Sequence, residues 1–118
     1  MERVGKNILV VEDSPLIAGA LETMLEELGC KVVGPAGTIA NALELCEAGA
    51  FDAAIVDLNI RGGKAFAIFQ ALHRHAIPFV IASGYADWTM PAQWAARPRL
   101  AKPYSLPMVK EMLESLQV

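Results

Sequence analysis

Four patches of this 118-residue chain carry side chains that could do chemistry together: Glu12-Asp13, Asp57, Ser83 and Lys102-Pro103. They are far apart in sequence, yet each directly follows a short apolar run. Three carboxylates brought together raise one another's pKa unless a counter-charge sits among them. A hard divalent cation such as Mg²⁺ supplies that charge. It takes one or two protein carboxylates and fills its other positions with water or phosphate oxygens. A lysine ammonium is a compact positive charge suited to a phosphoryl oxygen, and a serine hydroxyl can donate to another. A carboxylate can itself act as nucleophile and form an aspartyl-phosphate. The set points to Mg²⁺-assisted phosphoryl chemistry, provided the fold brings the patches to one place.

The elements that must do so are legible. Ile8-Leu9-Val10-Val11, Ala53-Ala54-Ile55-Val56 and Phe79-Val80-Ile81-Ala82 are short and continuously apolar. Such runs are strands covered on both faces, as in a parallel sheet between helices. Lys31-Val32-Val33-Gly34 and Leu100-Ala101 are weaker and suit sheet edges. Helical signals fill the gaps. Ser14 is an N-cap followed by Pro15 at the first helical position. Leu16, Ile17, Ala20, Leu21, Met24, Leu25 and Leu28 then form an apolar stripe at spacings of three and four, and Gly29 supplies the stop. A second helix is expected from the Thr38 cap to near Gly49. A third runs from about Lys64 to His75 with Phe66, Phe69 and Leu72 inward, and a last one follows the Ser105 cap. Five strand–helix units imply a doubly wound α/β domain with right-handed crossovers. Ligands of such sheets bind outside the carboxyl ends of the strands, where the four patches fall.

Composition narrows the function classes. Hydrophobic residues are 54% and charged residues 19%, which excludes intrinsic disorder. A net charge of −3 argues against nucleic acid as partner. No apolar run reaches the ~20 residues that span a bilayer, and the first residues have no secretory pattern. Cys30 and Cys46 lack metal-ligand spacing and read as core thiols of a cytoplasmic protein. His73 and His75, two apart on a helix, do not face each other and read as exposed polar residues.

Four motifs in order, Val10-Val11-Glu12-Asp13-Ser14, Val56-Asp57-Leu58-Asn59, Ala82-Ser83-Gly84-Tyr85 and Ala101-Lys102-Pro103-Tyr104, resemble those of two-component receiver domains (response regulators). The resemblance covers about residues 7–118. It implies a five-stranded (βα)5 parallel sheet of flavodoxin-like order 2-1-3-4-5, and one receiver domain over 1–118 with residues 1–6 as a disordered leader. It implies that Asp57 is the phosphoacceptor, taking its group from a sensor histidine kinase or a phosphotransfer protein. Glu12, Asp13, Asp57 and the backbone carbonyl of Asn59 would bind Mg²⁺. Ser83 and Lys102 would hold the phosphoryl group, with Ser83 switching position and the Lys102-Pro103 bond cis. Output would pass through a protein–protein surface around strand four, helix four and strand five, or the domain would drain phosphoryl groups as a sink.

Three features depart from the wider family pattern. Arg99 stands three residues before Lys102, where an aromatic switch residue is usual. Pro91 falls where the fourth helix should form, and an interior proline costs ~3 kcal/mol, so a short or irregular fourth helix is expected. Pro78-Phe79-Val80-Ile81-Ala82-Ser83-Gly84-Tyr85 is similar to the motif of the Phe-Ala-Thr-Gly-Tyr subgroup, which lacks that aromatic, has a labile fourth helix and often works with HWE-type kinases. This resemblance offers Tyr85 as the replacement ring. The loop Ile60-Arg61-Gly62-Gly63 lacks the family's usual Met-Pro. Trp88 and Trp94 either mark a partner surface or pack against the sheet, and Arg97 and Arg99 read as solvated. Two other functions compete. A Mg²⁺-dependent phosphohydrolase with an Asp57 nucleophile wants a general acid two residues later, where Asn59 cannot serve. A binding module independent of phosphorylation would not need the intact acid set.

Overall fold

A computed structural model describes residues 5–61, 63–84 and 91–116. In chain order its elements are β1 (Asn7–Val11), α1 (Pro15–Glu27), β2 (Lys31–Ala36), α2 (Ile39–Ala48), β3 (Ala53–Asp57), β4 (Asn59–Ile60), β5 (Gly63–Lys64), α3 (Phe66–Arg74), β6 (Phe79–Gly84), α4 (Ala92–Ala95), β7 (Arg99–Lys102) and α5 (Leu106–Ser115). Five strands pair in parallel in the order β2-β1-β3-β6-β7. This is the expected 2-1-3-4-5 arrangement, with β6 and β7 as its fourth and fifth strands. The continuous apolar runs are strands because both of their faces are covered: every residue of β3 is buried. Gly34, at φ +96°, lets β2 pass close to β1; a Cβ there would stand 2.8 Å from the Ala36 nitrogen. Gly5 N–H donates to the Gly29 carbonyl and Lys31 N–H to the Lys6 carbonyl, which ties residues 5 and 6 of the expected leader to this edge. Residues 1–4 lie outside the described residues.

Helix starts follow the sequence. The Ser14, Thr38 and Ser105 hydroxyls accept from the N–H groups of Ile17, Asn41 and Met108. Leu21 and Leu25 of α1 and Val109 and Leu113 of α5 pack over Ile8, Val10, Ile55 and Val80 on one face of the sheet. On the other face, Cys46, Ile68, Phe69, Leu72 and Trp94 pack over Leu9, Val11, Val56, Phe79 and Ile81. Each fully buried large side chain contributes about 1.5–3 kcal/mol. Both cysteines are buried and neither is in a disulfide, as expected.

Three expectations change. The third helix starts at Phe66 rather than Lys64, because Gly63–Lys64 pair antiparallel with Asn59–Ile60 in a small ribbon. Of the α1 stripe Leu21 and Leu25 are buried, joined by Ala18 from outside it, but Ala20 is exposed and Leu16 is 84% exposed, because the first turn stands beyond the strand ends. Pro91 is the N-cap of α4 and not an interior residue, and α4 is four residues long.

Candidate functional site

The carboxyl ends of the strands gather the residues that the sequence singled out. Glu12 follows β1, and its backbone N–H is held by the Ala36 carbonyl at 2.9 Å. Its own Oε2 accepts from the Ser14 N–H at 3.0 Å, which turns the side chain back over the strand end. Asp57 closes β3 opposite Ala82, and its Oδ1 accepts from the Asn59 N–H at 3.2 Å. Ser83, buried, is the next residue along β6 and pairs with Ala101; Gly84 pairs with Lys102. Lys102 Nζ lies 2.6 Å from Asp57 Oδ2 and 2.8 Å from Glu12 Oε1. Ligand oxygens of Glu12, Asp13 and Asp57 all lie within 4.8 Å of one another. Glu12 and Asp57 are each only 4% exposed. The Lys102-Pro103 bond is cis, as the resemblance implies, and so is Gly34-Pro35.

Burial pushes the Asp57 carboxyl above its usual range and Glu12's charge adds to this, while Lys102 and the Asn59 N–H oppose it without prevailing. Burial works against the Lys102 ammonium, but its close contacts with Asp57 and Glu12 and the charges of both acids outweigh it and raise its pKa. Burial also raises the Tyr104 hydroxyl, helped by Glu12 and Asp57, and keeps it neutral. Three carboxylates against one ammonium leave −3 + 1 = −2. Glu12 Oε1 has Lys102 as ion-pair partner but no aligned hydrogen bond. An all-oxygen donor set with a charge of −2 and an incompletely bonded buried carboxylate fits a hard divalent cation, and Mg²⁺ would cancel that charge.

The profile of the response regulator receiver domain matches residues 8–114. This chain belongs to that family. Among solved structures it is similar to SdrG of Sphingomonas melonis Fr1, at 41% identity over 100% of both chains with a TM-score of 0.86. It is also similar to the BeF3-activated conformation of SdrG from Pseudomonas melonis Fr1, at 43% identity over 98% of each chain with a TM-score of 0.83. A receiver domain of a sensor histidine kinase from Pseudomonas aeruginosa PAO1, with magnesium coordinated in its active site cleft, shares the fold at 21% identity, covering 98% of this chain and 100% of that one with a TM-score of 0.84. A search of curated proteins returns no match.

The rest of the receiver site has its own local features. Arg99, at the position of the usual aromatic, donates from Nη2 to the Ala95 carbonyl at 2.7 Å and straps β7 to the end of α4. Arg97 is half-buried rather than solvated: it donates to His73 Nδ1 at 2.9 Å and lies 4.6 Å over the Phe79 ring. Trp94 packs inside and does not form a partner surface. Tyr85 and Trp88 lie outside the described residues. Sequence reasoning missed two features. One is the ribbon after Asp57, whose signal was the Gly62-Gly63 pair. The other is an apolar groove of about 460 Å³ between Leu16, Ile17, Ala20, Met24, Pro103 and Tyr104, bordering the cleft at Gly84 and Lys102. Its signal was an apolar stripe that begins one turn before the helix meets the sheet. No helix among the described residues is long and apolar enough to cross a membrane.

Proposed function

We propose that this receiver domain accepts a phosphoryl group on Asp57 from a phosphohistidine of a sensor histidine kinase or phosphotransfer protein. The observation that carries this is the convergence of Glu12, Asp13 and Asp57, whose ligand oxygens lie within 4.8 Å of one another, with Lys102 Nζ 2.6 Å from Asp57 and 2.8 Å from Glu12. Glu12, Asp13, Asp57 and the Asn59 carbonyl would hold Mg²⁺, which would supply positive charge to the phosphoryl oxygens. Asp57 attacks phosphorus: its P–O bond forms as the P–N bond of the donor breaks, and the imidazole leaves neutral with its ring proton. Lys102 moves from the bare carboxylate to a phosphoryl oxygen, and the Ser83 hydroxyl takes another. The donor docks over the apolar groove, whose border residues Gly84 and Lys102 also belong to the cleft.

The phosphoaspartate carries about −1.5 to −2 charge where the carboxylate carried −1, and this excess at the end of β3 draws Ser83 inward. The pull on β6 shifts the population of the β6–α4–β7 surface, through which an unidentified partner is read or withheld; the other reading of the same chemistry is a phosphate sink. The Phe-Ala-Thr-Gly-Tyr subgroup, an HWE-type donor and a switching role for Tyr85 are supported by Arg99, by the four-residue α4 and by the motif around Ser83. In Mg²⁺ and acetyl phosphate, intact mass should show one labile phosphoryl adduct that Asp57→Asn lacks. Turnover of a small phosphate ester would replace this function with hydrolysis. No adduct, and no spectral change with beryllofluoride, would leave a binding module.

A further inference from the structure

The loop after Asp57 is built with more order than a connection needs. β4 and β5 pair antiparallel, with Asn59 opposite Lys64 and Ile60 opposite Gly63. Ala65 N–H donates to the Leu58 carbonyl at 2.9 Å, one step outside the Asn59–Lys64 pair. Hydrogen-bonded and non-bonded pairs alternate along an antiparallel ladder, so that bond makes Asn59–Lys64 a non-bonded pair. The N–H and C=O of one strand residue lie on the same edge, and those of Asn59 therefore both turn away from Lys64. Its N–H reaches Asp57 Oδ1 at 3.2 Å, so its carbonyl faces the same acid cleft.

Three features hold this register. Ile60 is buried in the core. Arg61 bridges to Thr38, which sits beside the Ala36 carbonyl that holds Glu12. Gly63 has φ +125°, a backbone conformation that L side chains rarely adopt, yet an added Cβ would meet nothing within 4 Å. A substitution at Gly63 thus disturbs the backbone alone and spares the packing.

We propose that the ribbon is a positioning device for the metal, with Gly63 holding the register that aims the Asn59 carbonyl at the ion bound by Glu12, Asp13 and Asp57. This rests on the Mg²⁺ reading above and adds a residue that no acid-cluster argument would select. Gly63 touches no substrate and is a positioning residue. The test is an amide-shift NMR titration of the full chain with Mg²⁺ alone, beside a thermal melt without metal. Gly63→Ala should weaken Mg²⁺ binding about tenfold, the scale of outer-shell effects on metal sites, with little change in the metal-free melt. Ile60→Ala, which removes the buried anchor, should weaken it in the same direction. A D-alanine at position 63, for which positive φ is ordinary, should restore binding. Wild-type affinity in both L-variants overturns the inference and leaves the Mg²⁺ reading intact. A wild-type chain that shows no Mg²⁺ titration overturns the reading beneath it.

Discussion

The two flanks of the cleft are held by different physics. On the β1–β3 flank, Glu12 and Asp57 are fixed by polar contacts: hydrogen bonds between Ala36 and Glu12, Ser14 and Glu12, Asn59 and Asp57, and Lys102 and Asp57, with an ion pair between Lys102 and Glu12. On the β6–β7 flank the connecting helix is four residues long and has no side-chain cap. An aromatic anchor holds that flank, together with the Arg99 strap to the Ala95 carbonyl. Trp94 lies 5.6 Å from Phe69 and 6.1 Å from Phe79, ring to ring, and Arg97 covers Phe79. The first flank presets charge at some cost in stability, while the second gains stability from apolar burial. Substitutions should therefore divide: those on the acid flank change binding more than folding, and those on the aromatic flank do the reverse.

The largest effect belongs to the aromatic anchor. Trp94→Ala should cost about 3–5 kcal/mol in urea or thermal unfolding, the range for emptying a buried aromatic site. Mg²⁺ affinity of the folded fraction should be unchanged. A loss under about 1 kcal/mol would erase the contrast, because α4 would then be held by something other than Trp94.

The acid flank should respond with the opposite sign. Asp57→Asn removes one of three clustered negative charges and leaves Glu12 to pair Lys102. Stability without metal should rise by about 1 kcal/mol, a few degrees in Tm. The pH dependence fixes the cause. The Asp57 carboxyl titrates above its ordinary 3.8 because it is buried. For an acid with a raised folded-state pKa, the native state prefers the protonated form. Its penalty is absent below the unfolded value and grows as pH climbs through the folded one. The advantage of Asp57→Asn should thus shrink as pH falls toward 3.8, and a constant advantage would point to packing instead of charge. Mg²⁺ should suppress the advantage at neutral pH by stabilising wild type alone.

Sequence legibility follows the same division. The strands, their order and the convergence of Glu12, Asp13, Asp57, Ser83 and Lys102 on the strand ends were readable, because continuous apolar runs and a βα rhythm leave few topologies. The caps at Ser14, Thr38 and Ser105 were readable from local hydrogen-bond chemistry. The ribbon was not: two strands of two residues carry no periodicity, and the apolar run of the next helix hid its late start. Leu16 joins the stripe by spacing, but spacing cannot tell where a helix outruns its sheet. Arg97 reads as solvated because charge predicts exposure, whereas a guanidinium stem and plane can cover an aromatic ring.

That last residue gives the smallest and most discriminating effect. Arg97 does two things at once: its Nη2 reaches His73 Nδ1 at 2.9 Å, and its plane lies over Phe79 at 4.6 Å and over Trp94 at 5.9 Å. A stacked cation at a partly exposed site is worth about 0.5–1 kcal/mol, so Arg97→Ala should cost that much in unfolding. Arg97→Lys keeps the charge but loses the flat fork that permits stacking and hydrogen bonding together, so it should recover less than half of the loss. Full recovery by lysine would mean that charge alone matters there, and Trp94 with Phe79 would then hold the β6–β7 flank without the guanidinium lid.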